Sequence, residues 1–235
     1  MKRKRKRINL IISFFLITLF LLYACTTSKT DKEELSNEEL EYAIKLMLSE
    51  VTNRAFTDFK IFISDYDFIP EELNTLNKEK DIIPGLSTIL QSWTINIRNA
   101  FINKSKSLDN DIRKVIDNMI IPNPKSIISS GVRSASVLLS TTYYPEIQNC
   151  FINFIMNNIT ELRQAINQYN IYIDTTNRIN PTNLDKINLS DYDISYSLSN
   201  PLCNYILNFF MANEDLYRTT PNSSNPQIIR QVFNI

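Results

Sequence analysis

The chain of 235 residues contains no histidine. A histidine general base, a Ser-His-Asp or Cys-His arrangement and a histidine metal ligand are therefore all excluded. Glycine is nearly as scarce, with only Gly85 and Gly131. The GxGxxG turn, the P-loop and the GxSxG elbow each need several glycines for close backbone approach, so none of them can be present. These absences remove most nucleotide-dependent and hydrolytic chemistry, and we expect no enzyme, no cofactor and no metal. Cysteine is limited to Cys25, Cys150 and Cys203.

Charge is balanced in total, 25 basic against 25 acidic residues, but unevenly placed. Six of the basic residues form the run Lys2 to Arg7; without them 19 basic residues face 25 acidic ones, a net charge of about −6. So acidic a body lacks the basic face that neutralises phosphates, and no nucleic-acid partner is expected. After the basic run comes an apolar one, Ile8 to Ala24. Charged run, apolar run and small residue follow in the order of a secretory signal peptide. The apolar run is short for a membrane span and is interrupted by Asn9, Ser13 and Thr18. Leu22-Tyr23-Ala24-Cys25 resembles a bacterial lipobox, although Tyr23 is bulkier than usual there. The resemblance implies that Cys25 is lipidated, with palmitate-like acyl chains, and becomes the first residue of the mature protein. Each buried methylene contributes about 0.8 kcal/mol, so several chains hold a protein firmly. The polar stretch TTSKTDKEELS that follows reads as a flexible tether. The expected division is a signal peptide over 1–24, a lipidated tether over 25–35 and a helical domain over 36–235; the alternative is an uncleaved signal anchor. Thr26 is not the aspartate linked with inner-membrane retention, which favours the outer membrane or cell surface over the inner membrane.

The body shows helical periods throughout. Ser36 and Glu39 form a capping box, with Leu35 and Leu40 at the staple positions. Leu40, Ala43, Ile44, Met47, Leu48 and Val51 then share one face. Lys60 to Ile63 could extend that helix or form a short strand, and Pro70 begins a new helical turn. A second face carries Leu86, Ile89, Leu90, Trp93, Ile97, Ala100 and Phe101, and a third carries Ile112, Val115, Ile116 and Met119, ending before Pro122. Short helices are expected at Ile127-Ile128 and from Val132 to Leu139. The spacing from Ile147 to Tyr169 predicts the longest helix, with Asn158 on its apolar face and in need of a buried partner. Asp174 to Asp193 reads as a long loop, Leu202 to Phe210 as a helix, and Ile228 to Phe233 as a last short one. The class is all-α, a single multi-helix bundle-like domain.

Candidate chemistry is thin. In an oxidising compartment Cys150 and Cys203 could pair as a disulfide; the plainer alternative is two small buried residues. Asp65-Tyr66-Asp67 and Asp191-Tyr192-Asp193 could hold a hard cation or do acid–base work, but neither extends into a calcium loop, so loop or cap residues are the better reading. Aromatics such as Phe151, Phe154, Phe209 and Phe210 could wall a pocket for a small apolar ligand, or simply fill a core.

From Leu35 onward the chain resembles a family of helical bacterial lipoproteins known only as a domain of unknown function. The likeness lies in Ser36-Asn37-Glu38-Glu39 and the helix with Lys45, in Ile69-Pro70, in Ile116 to Met119, in Ile127 to Gly131, and in Ser134-Ala135-Ser136 with Leu138 and Leu139. It is most specific in the closing segment with Asn213-Glu214, Arg218, Pro221, Ile229 and Val232-Phe233. Two departures stand out. Ile97 to Ile102 lacks the family's acidic residue, and Ser224 occupies the place of a second arginine. The resemblance implies a helical fold and an envelope location, periplasmic or surface, with no activity attached. The expected partners are the membrane, through the anchor, and either an envelope protein or a small apolar ligand.

Overall fold

Helix α1 runs from Asn37 to Ile63, 27 residues, which places Ser36 at its N-cap position and Glu38 and Glu39 in its first turn, where carboxylates favour the helix dipole. Its apolar face continues from Val51 through Ala55, Phe56 and Phe59 to Ile63, all buried. The unbroken period makes Lys60–Ile63 the last turn of this helix and not a strand. The computed structural model describes residues 35–179, 185–220 and 224–233. The chain divides into two units, Met1–Ser36 and Asn37–Ile235, and the architecture is that of the second.

After α1, Pro70 (φ −66°) leads into a 3-10 turn, Glu71–Leu73, which passes into α2, Asn74–Glu79. Gly85 precedes α3, Leu86–Asn103, in the left-handed region at φ +81°, where a side chain would be strained. Then come α4, Lys106–Asn118, and α5, Pro124–Ser129, whose first turn is capped by the Asn123 side chain accepting from the Ser126 N–H at 3.1 Å. Helices α6, Ser134–Thr142, and α7, Tyr144–Met156, follow almost without a break. The remaining elements are α8, Thr160–Ile179, α9, Asp191–Thr219, and α10, Gln227–Phe233. The described residues contain no strand, so the fold is all-α.

The centre is the pair α1 and α9, which run antiparallel: Asp58 meets Asn213 at 2.7 Å, while further along α1 the Phe62 ring lies 4.0 Å from that of Tyr205. Helix α9 also packs on α6 and α7, α4 bridges α1 and α7, and α3 pairs with α8. Phe59, Phe101, Phe151 and Phe154 meet edge-on or tilted, with centroids 4.7–6.3 Å apart. These rings fill the core, and the buried Trp93 anchors it with an indole N–H donated to the Phe68 carbonyl at 3.1 Å.

Two expectations fail here. The long helix from Ile147 to Tyr169 is in fact α7 and α8, broken at Asn157–Ile159. Asn158 is the cause: its side-chain amide donates to the Phe154 carbonyl at 2.8 Å, closing off the end of α7. A residue that needed a partner inside a helix finds one by ending it. The second error is the loop from Asp174 to Asp193 with a helix only from Leu202: residues up to Ile179 still belong to α8. Helix α9 already starts at Asp191 and runs for 29 residues straight through Pro201, which makes it the longest of the described helices. Ser190 and Asp193 form a reciprocal capping box that starts it.

Candidate functional site

Cys25, the lipidation candidate, lies outside the described residues. Cys150 on α7 and Cys203 on α9 stand as free thiols. The Cys150 thiol donates to the carbonyl of Glu146 on its own helix at 3.2 Å. Burial pushes Cys150 up to about 11 and Cys203 up to about 12, so both are neutral at ordinary pH and poor nucleophiles.

The two Asp-Tyr-Asp triplets serve the backbone. Asp67 accepts from the Ile69 N–H at 3.0 Å in the turn before Pro70. Asp191 pairs with Arg163 of α8, and Asp193 accepts from both the N–H and the hydroxyl of Ser190 at 3.0 and 2.6 Å. Those bonds from Ser190 hold the Asp193 carboxyl below its ordinary value. No group of three or more metal-ligating side chains occurs among the described residues.

One buried polar cluster has a role the sequence did not reveal. Glu214, fully buried on α9, accepts from the N–H groups of Ala135 (3.2 Å) and Ser136 (2.6 Å) at the start of α6. Arg218, one turn further along α9, donates to Glu214 at 3.0 Å, to the Gly131 carbonyl at 2.5 Å and to the Ile128 carbonyl at 2.7 Å. Its guanidinium carbon lies over the Phe233 ring of α10, 4.6 Å from the centroid. Burial pushes the Glu214 carboxyl up, against the pull of Ser136 and Arg218, which favour the charged form. With its guanidinium bonded to carbonyls and a carboxylate, Arg218 is a clamp that joins α9, the α5–α6 turn and α10. An i,i+4 Glu–Arg spacing usually marks a surface pair, so nothing in the sequence signalled that this one is buried.

The geometry most suited to a ligand lies elsewhere, at the start of α9. Tyr192 and Tyr196, four residues apart, each have about half their surface exposed, at 52% and 49%. Their rings stack with centroids 6.2 Å apart and planes within 26°. Beside them is a groove of about 370 Å³ whose floor and walls include Pro70, Glu72, Ile194, Ser197 and Asn200. The Ser197 hydroxyl binds Glu72 Oε1 across it. Tyr144 donates its hydroxyl to Asn200 Oδ1 at 2.5 Å; burial first, then Cys203, pushes that phenol up to about 12 and keeps it a donor. A second groove of about 470 Å³, between α3 and the α7–α8 turn, is lined by asparagines including Asn99 and Asn103. A third, of about 550 Å³, lies open along α5 and α6 and is walled by Ile127, Val137 and Leu138.

No protein-family model, curated protein or solved structure matches the chain. Among the described residues no helix is long and apolar enough to cross a membrane.

Proposed function

We propose that the chain is a lipid-anchored protein of a bacterial envelope, held at a membrane surface through Cys25, and that its helical body is a non-catalytic binding or structural module. The observation that carries this is the order of residues at the start of the chain: six basic residues, an apolar run to Ala24, a cysteine, then a polar stretch. The resemblance of the body to helical envelope lipoproteins supports it, as does a chain without histidine whose thiols at Cys150 and Cys203 are neutral.

The test is substitution of Cys25→Ala in a bacterial host fed labelled palmitate. The native chain should take up label and sediment with membranes, and C25A should do neither. Label retained by C25A would overturn the anchor.

A further inference from the structure

The groove at the start of α9 presents an unusual set of free valences. Glu72 uses Oε1 for Ser197, and both described bonds to Asp193 use Oδ2, so Oε2 of the one and Oδ1 of the other are open acceptors on the same groove. Asn200 spends its carbonyl on Tyr144, which leaves its amide as a donor. Against these stands the flat apolar surface of the Tyr192–Tyr196 stack.

We propose that this groove and its tyrosine platform bind a glycan. A pyranose ring has one weakly polar face, which lies flat on an aromatic ring, and an edge of hydroxyl groups that donate hydrogen bonds. Tyrosines supply rigid amphipathic area at low entropic cost, and here the stacked pair places the half-exposed Tyr196 ring on the groove. The acceptor-rich wall takes the hydroxyl protons and the Asn200 amide serves a hydroxyl oxygen. A phosphate-bearing ligand is repelled by Glu72 and Asp193. A quaternary ammonium is attracted by those carboxylates, but it is held best by rings that surround it, and these two share one side. The groove volume of about 370 Å³ accommodates a short segment of such a chain. The choice of β-1,4-linked probes rests on the envelope location proposed above, where cell-wall glycan lies within reach; the binding itself is read by heat and the anchor by acyl label, so the two can fail separately.

The experiment is calorimetric titration of the full chain in detergent with cellotetraose, with chitotetraose and with tetramethylammonium chloride. At least one tetrasaccharide should bind saturably. Tyr192→Ala/Tyr196→Ala and Glu72→Gln should each weaken it tenfold or more, while Asn99→Ala in the second groove leaves it unchanged. Helix content and melting temperature of each variant, followed by circular dichroism, confirm that the fold is retained. The proposal is overturned by absence of saturable heat with either sugar, by full binding in the double tyrosine variant, or by tetramethylammonium binding where neither sugar does.

Discussion

At Arg218 one side chain does the work of several loop contacts, and its loss can be predicted in sign and size. The pair with Glu214 is buried, with side-chain exposures of 6% and 0%. Arg218→Ala leaves an unpaired buried carboxyl, which typically costs about 3–5 kcal/mol. The penalty should depend on pH. Burial already raises Glu214 above its ordinary 4.5, and removal of the guanidinium raises it further. A carboxyl raised on folding adds most to stability below its unfolded value, and that contribution is lost as pH rises through the folded value. Urea unfolding should therefore find Arg218→Ala much weaker than the native chain at pH 7.5 and closer to it at pH 4.5. A penalty that grows on acidification contradicts this account. Glu214, Arg218 and Phe233 hold α9, the start of α6 and α10 together, so these residues of the closing segment serve the fold.

At the level of elements, the capping box at Ser190 and Asp193 decides where α9 begins. Ser190→Ala should cost about 1 kcal/mol, a fall in Tm of about 2–4 °C for a domain of this size, measurable by scanning calorimetry. An unchanged Tm would mean that packing of Ile194 and Leu198 alone starts the helix. This is also where legibility from sequence varied most. The faces of α1, α3 and α4 were readable because their apolar residues recur at helical spacing and fill one core. The breaks were harder. Asn158 looked like a buried polar residue in a long helix, yet its side chain had a cheaper outlet in ending α7. The loop was read as far as Asp193, and no helix before Leu202, because polar and small residues dominate there, but Ser195 and Ser199 are buried against neighbours that local sequence cannot announce. The Tyr192–Tyr196 stack depends on that same helix, so it stayed hidden while Tyr192 was read as part of a loop and Tyr196 was placed in no element.

For the whole molecule, the core is one continuous body of side chains to which all the longer helices contribute. Phe101 touches the rings of Phe59, Phe68, Phe151 and Phe154, which come from three other parts of the chain. Phe101→Ala should thus cost about 3–5 kcal/mol. The fluorescence of the single buried Trp93 and the helical signal should still lose structure together on a denaturant titration. Separate midpoints for the two signals would show that the helices unfold in independent groups.

The pairing of α1 with α9 has a temporal side as well. Asp58 and Asn213 are 155 positions apart, so the central contact cannot form until most of the chain has left the ribosome. Contacts between distant parts of a chain are also slow to form. This topology delays closure by construction: α1 waits for α9, one of the last of the described helices, before the centre of the core can form.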